Sequence, residues 1–447
     1  MCCFYKNIKY LMFFILFSLV YLLPPFQSPD EFAHYCKSYS LLKFNFFEPV
    51  VSINQSLHNF MNNYNSIPFH RENKVSNQNL NNTQRLKWND FSTEVNRGIL
   101  ATNIYLPIIY IPQSIAIATG KILNLKIDKT YKLGRFINII LCLVILSVAF
   151  NIHKPSITTL AIIFTPMTLF QMSYTTPDGL LFTLVVLIFS LIKKIMEEEG
   201  INYELLLILS LSIITFCGHR LYCVPFLIIP SFILASKKEL KKSILFFVSL
   251  VGVFVAWLLL YKSNVHETIK DGYTLYYKGT YYLTNISETL KIIFNTLTDE
   301  GKLHFYWRSF FGQLGWLDYN IPSNALYILT FLLVTLFVFE LKLKNNIRRN
   351  VILFMLVLSS LVLIFLALLI QWTPFPNATI VEGIQGRYFI PIALTISCLF
   401  TKNLEEYNID SKYAQYKINS LKILFYIYLL VSYSSIIQSS LLRYYIG

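Results

Sequence analysis

The sequence predicts an all-α polytopic membrane protein, a bundle of about eleven transmembrane helices with two large outer loops. Three observations predict it. Apolar runs recur along the chain, many approaching the roughly 20 residues a helix needs to cross a bilayer. The composition is 55% hydrophobic and 16% aromatic with only 14% charged residues. Mean hydropathy is +0.52. Only helices and closed barrels satisfy every backbone group in lipid, and these runs are too long and continuous for barrel strands.

The +14 net charge gathers in short Lys/Arg clusters between apolar runs. That is the positive-inside bias, so no nucleic-acid partner is expected. The seven cysteines are an odd number, mostly within apolar segments and without CxxC or Cys/His ligand spacing. Neither a disulfide framework nor a structural zinc site follows.

Taken in order, Lys6 and Lys9 precede a first apolar run over residues 10–23. No small-residue cleavage site follows, so an uncleaved first helix with a cytoplasmic N-terminus is expected. Residues 24–103 form the first outer loop. Its start, 31–47, has near-helical apolar spacing suited to the interface, and its Asn/Ser-rich middle, 54–82, is expected to be irregular. Apolar segments follow at 104–119, 136–150, 157–172, 180–195, 205–216, 221–234, 244–260, 325–339, 351–371, 388–400 and 421–437. A strongly aromatic second outer loop spans 261–322, and a short third one spans 373–386. All of 1–447 reads as one integral membrane domain.

Basic clusters fall at 121–135, 193–194, 237–242, 342–349 and 402–417. Placing them all in the cytoplasm puts the three loops on the other side. Parity then requires that one apolar segment between residues 103 and 178 fail to cross. The expectation is 157–172, as a short or re-entrant piece.

Four stretches carry residues suited to chemistry. Pro29-Asp30-Glu31-Phe32-Ala33-His34 places two carboxylates and a histidine where the first helix meets water. Asp30 or Glu31 suits a general base, with His34 one turn on; a capping role explains the acids equally well. Gln385-Gly386-Arg387-Tyr388 precedes an apolar run. An arginine there suits bidentate phosphate binding, and Gly383 and Gly386 allow close backbone approach. Asp178, in Pro177-Asp178-Gly179, is an ionisable group between apolar runs, a functional position by default, although Pro-Asp-Gly is also a plain turn. Arg308, Trp316 and Asp318 pair a phosphate-binding cation with aromatic faces suited to sugars or headgroups, and Arg220 is a further phosphate contact.

These stretches, with the Pro177-Asp178 turn and Gly315-Trp316-Leu317-Asp318, resemble the bacterial membrane family called domain of unknown function 2142 across nearly the whole chain. That family is similar to the GT-C glycosyltransferases, in which an acid of the first outer loop acts as base and a polyprenyl-phosphate sugar is the usual donor. The resemblance implies a GT-C-like helical bundle in the cell membrane, with Asp30 or Glu31 as the first-loop acid and Asp178 as a second acidic position. The expected partners are a polyprenyl-phosphate sugar, a glycan or lipid-linked acceptor, and membrane lipids. Some GT-C enzymes use a divalent metal; here Asp30, Glu31 and Asp178 would be the ligands, for magnesium or manganese. A transporter or flippase, or a polymerase, of lipid-linked glycans is the alternative function.

Overall fold

The computed structural model describes residues 2–48, 50–96, 102–264, 269–342, 347–407 and 411–446. Part of the basic cluster 342–349 therefore lies outside the described residues. Helix α1 (Cys2–Leu22) ends before Pro24-Pro25, which cannot continue it. A short turn leads into α2 (Glu31–Leu42).

The first loop is folded. Strand β1 (Val51–Asn54) pairs antiparallel with β2 (Ser92–Val95), Val51 opposite Val95, and helices Gln55–Asn62 and Asn77–Arg85 lie between them. This corrects the expectation of an irregular 54–82. The Asn and Ser residues act there as helix caps: the Asn54 side chain accepts from Ser56 N at 3.0 Å and Leu57 N at 3.3 Å, and Ser76 forms a capping box with Asn79.

Beyond the loop come α3 (Ile111–Ile122), α4 (Ile127–Ile152), the short α5 (Ile157–Ile163) and α6 (Pro166–Met172), α7 (Asp178–Glu197) and α8 (Tyr203–His219). A 3₁₀ segment, Leu221–Ile228, runs into helix Ile229–Ser236 and then α9 (Leu240–Asn264). The second loop contributes α10 (Glu300–Phe311). The chain closes with α11 (Ser323–Glu340), α12 (Ile347–Gln371), a 3₁₀ turn at Gly386–Phe389, α13 (Ile390–Phe400) and α14 (Lys412–Tyr444).

Among the described residues, seven helices are long and apolar enough to cross a membrane: Cys3–Leu22, Ile127–Ile152, Asp178–Glu197, Leu240–Lys262, Ser323–Glu340, Val351–Gln371 and Lys412–Tyr444. Tyr203–His219, Leu221–Ser236 and Gly386–Phe400 are shorter apolar helices. At the centre, α7 packs on α4, α8 and α13, and every residue of α5 and α6 is buried.

Two topological expectations are corrected. The cluster 121–135 sits at the Asp30 end of the bundle, apart from the other basic clusters. Lys121 Nζ donates to Tyr39 OH at 2.8 Å, and Arg135 donates to the carbonyls of Leu23 at 2.9 Å, Val20 at 3.0 Å and Leu19 at 3.2 Å. Arg135 thus caps carbonyls at the end of α1, a role that charge counting does not register.

Residues 157–172 also run from one end of the bundle to the other. At one end Glu340 accepts from Ile157 N at 2.9 Å and Thr158 N at 2.7 Å; at the Asp30 end Ser28 Oγ donates to Gln171 Oε1 at 3.1 Å. The break falls at Thr165-Pro166, because proline has no amide to bond the Ile162 carbonyl, which accepts instead from the Thr165 and Thr168 hydroxyls, each at 3.0 Å. It is 104–119 that begins and ends at the Asp30 end: Ile104 O accepts from Trp257 Nε1 at 2.9 Å, and the following α3 ends beside Tyr39 through Lys121.

Candidate functional site

Asp30 and Glu31 are neighbours in sequence whose side chains go opposite ways. Asp30 holds the N-cap position of α2 in the left-handed region, φ 62°, and makes no side-chain cap bond. Asp and Asn tolerate this conformation better than most residues. Its side chain is 63% exposed. Glu31 points inward: its Oε1 accepts from Thr175 N at 3.0 Å, Thr175 Oγ1 at 2.7 Å and Tyr131 OH at 2.7 Å, while its Oε2 has no hydrogen-bond partner among the described residues. Burial pushes the Glu31 carboxyl up, against the pull of Arg135 and of these hydrogen bonds.

Opposite Asp30 lies Arg387, whose side chain is 5% exposed. Its Nη2 is 3.9 Å from Asp30 Oδ2 and its Nη1 is 3.6 Å from Asp178 Oδ2. Arg220 forms an ion pair with the other oxygen of Asp178, and His219 Nε2 lies 3.4 Å from that same oxygen. The Tyr388 ring is shared by both guanidiniums, 5.1 Å from that of Arg220 and 5.6 Å from that of Arg387. Among the described residues Arg387 Nε, which is buried, has no hydrogen-bond partner. A guanidinium held this way keeps donors for an incoming anion.

Gly386 sets where Arg387 sits. A Cβ there would lie 2.1 Å from both Phe310 N and Tyr306 O, and its amide donates to Ser309 Oγ at 2.7 Å. The close approach expected of this glycine is therefore made to the backbone of α10. Gln385 is adjacent, with a buried Oε1 that has no hydrogen-bond partner among the described residues.

His34 lies behind Asp30. It shares a 3.0 Å hydrogen bond with Tyr110 OH through Nδ1 and stacks on Tyr105 at 5.8 Å; Tyr105 in turn lies 4.4 Å from the His219 ring. Burial and then the neighbouring His219 hold the His34 imidazole down, to about 3. The structure thus brings together Asp30, His34, Asp178, Arg220, Arg387 and Tyr388. It adds Tyr105, Tyr110 and His219; the two tyrosines carried no signal beyond their aromatic character.

The remaining predicted residues lie apart from this cluster. Asp318 is clamped by Arg443, with Nη2 at 2.7 Å and Nε at 3.1 Å, and accepts from Phe69 N at 3.3 Å. Trp316 Nε1 donates to Phe26 O at 3.1 Å. Both tie the second loop to the first. Arg308 is half-buried on α10.

The proposed metal ligands do not fit a metal. Among the described residues no group of three or more His, Cys, Asp or Glu side chains is arranged to hold one. Asp178 is already engaged by two guanidiniums, and Glu31 by Thr175 and Tyr131.

Immediately beyond the cluster, an apolar groove of about 260 Å³ opens on the side of the bundle, lined by Ile108, Ile109, Leu141, Ile145, Leu180 and Leu181 among others. Ile109 precedes Tyr110, and Leu180 follows Asp178 by two residues.

Fold and site together define a multi-pass helical membrane protein with a buried arginine–carboxylate cluster at one end of its bundle. The chain belongs to the DUF2142 family, described as predicted membrane protein, whose model matches residues 13–396. No curated protein matches the chain, and no solved structure matches it.

Proposed function

We propose that the protein is an inverting membrane glycosyltransferase of the GT-C type, transferring a sugar from a polyprenyl-phosphate donor to a glycan or lipid-linked acceptor at the outer face of the cytoplasmic membrane. One observation carries this reading. The solvent-open carboxylate of Asp30 faces the guanidinium of Arg387 at 3.9 Å, beside an apolar groove on the flank of the bundle. A base, an anion-binding cation and a lipid-compatible surface are what such a transfer needs within one site.

Asp30 is the proposed base, and Glu31, held by Tyr131 and Thr175, a positioning residue. The acceptor hydroxyl gives its proton to the Asp30 carboxylate as its oxygen bonds to the anomeric carbon. The bond from that carbon to the phosphate oxygen breaks, and polyprenyl phosphate leaves with the electron pair. Arg387 and Arg220 stabilise the charge developing on the phosphate. The isoprenoid tail lies in the groove.

The same reading gives eleven crossings, the seven long helices joined by Tyr203–His219, Leu221–Ser236, Gly386–Phe400 and the α5–α6 pair. The N-terminus is then cytoplasmic, with four of the five basic clusters on its side. The test is sugar transfer from a polyprenyl-phosphate donor in membranes holding equal amounts of wild type, Asp30→Asn or Arg387→Ala. Unchanged product formation in both folded variants overturns the proposal.

A further inference from the structure

At the end of the bundle opposite Asp30, a cavity of about 430 Å³ opens between α7, α12 and α13. Lys193, Lys342 and His153 line it, Lys154 lines its inward extension, and Phe189, Ile192, Leu353 and Leu399 add apolar surface. Its acids are Glu406, which is ion-paired with Lys342, and Glu197, exposed at the rim. Cys398 is the remaining titratable group in the lining. Counting Lys154, three lysines line the cavity and its extension against two carboxylates. Asn403 Nδ2 lies 3.4 Å from His153 Nε2, which leaves Nδ1 as the ring's donor.

We infer that this cavity is a second binding site, which takes the phosphate headgroup of an acidic membrane lipid. Its lining, lysines together with apolar side chains, matches an amphipathic ligand. The apolar surface comes from Ile192, in the last turns of α7, and Leu353, near the start of α12, at the depth where acyl chains meet headgroups. A zwitterionic headgroup carries its own cation and gains less from the lysines.

The test titrates the full-length protein in detergent with dioleoyl phosphatidylglycerol, counting bound lipid by native mass spectrometry, with dioleoyl phosphatidylcholine in parallel. Phosphatidylglycerol is expected to bind more tightly than phosphatidylcholine. Lys193→Gln and Lys154→Gln are each expected to weaken it about fivefold, the equivalent of about 1 kcal/mol per lysine. Lys193→Arg, which keeps the charge, retains binding, as does Lys121→Gln at the other end of the bundle. Equal binding of the two lipids, or unchanged phosphatidylglycerol binding in both glutamine variants, overturns the inference. So does glycerol 3-phosphate binding as tightly as the lipid, which would make the ligand a soluble phosphate. A variant that binds no lipid is informative only through Lys193→Arg: failure of that variant to bind, with an unchanged unfolding midpoint, also overturns the inference.

Discussion

Arg387 and Asp178 meet at 3.6 Å although 208 intervening residues separate them, and the contact is made from two different helix starts, the 3₁₀ turn before α13 and the first residue of α7. Arg387→Ala is expected to lower kcat/KM for sugar transfer by about 10²–10³, the usual effect of losing a preorganised charge-stabilising donor. Arg387→Lys should recover only a small part, since a point charge cannot span Asp30 and Asp178 as a planar fork does. Full activity in the alanine variant would remove Arg387 from the site.

Asp30→Asn should separate chemistry from folding. Asparagine tolerates the left-handed φ of 62°, and Asp30 makes no cap bond to lose. Activity is expected to fall about 10²–10⁴-fold with little change in the thermal unfolding midpoint. Glu31→Ala should do the reverse at the level of cause: its main loss is stability, because the Thr175 amide, the Thr175 hydroxyl and the Tyr131 hydroxyl all donate to Glu31 Oε1 and are left without that acceptor. Parallel unfolding and transfer measurements distinguish the two.

Gly386→Ala places a methyl against the α10 backbone, 2.1 Å from Phe310 N and Tyr306 O. Backbone cannot rotate aside as a side chain can, so the 3₁₀ turn must shift and carry Arg387 with it. A destabilisation of about 1–3 kcal/mol and a loss of transfer are expected. Wild-type stability and activity in this variant would contradict the packing described.

Asp318→Asn leaves Arg443, 3% exposed at its side chain, without its buried counter-charge. Removing one partner of a buried pair costs about 3–5 kcal/mol, read as a lower midpoint in a detergent-solubilised unfolding assay. Residual transfer per folded molecule should stay close to wild type, because Asp318 lies outside the arginine–carboxylate cluster.

His34 sets a pH dependence of stability. Its imidazole is held below the ordinary 6.5, at about 3, by burial and then by His219. The folded protein keeps it neutral, so its contribution is fully present above pH 6.5 and is lost as pH falls towards 3, where the unfolded chain takes the proton first. The slope in that window is about 1.4 kcal/mol per pH unit. Unfolding followed across the window should lose that slope in His34→Gln, and an unchanged slope would show that another group is responsible.

The sequence made the helical membrane architecture legible because long apolar runs have few other physical explanations. It also picked out Asp30, Asp178, Arg220 and Arg387, since charges flanking such runs are costly to place. Two things lay beyond it. Adjacent residues do not share surroundings, and one left-handed turn at Asp30 sends Glu31 into Tyr131 and Thr175. Net charge also says nothing about what a cation touches: Lys121 and Arg135 are satisfied by Tyr39 and the end of α1, so the cluster 121–135 escapes the rule that its composition suggests.

The ties between the chain's beginning and its end bear on how the protein is made. Val75 N bonds to Tyr444 O at 2.8 Å, Tyr445 OH to Leu22 O at 2.9 Å, and Arg443 to Asp318. The loop holding Asp30 is synthesised well before the arginine facing it and the helix bracing it. Until residue 387 is made, the nascent chain lacks one of the cluster's two arginines. A ribosome stalled before Arg387 leaves Asp178 with Arg220 alone and Asp30 with no guanidinium before it. Assembly of the site thus waits on a residue made more than 350 positions after Asp30, and a chain stopped short of it lacks the completed charge cluster.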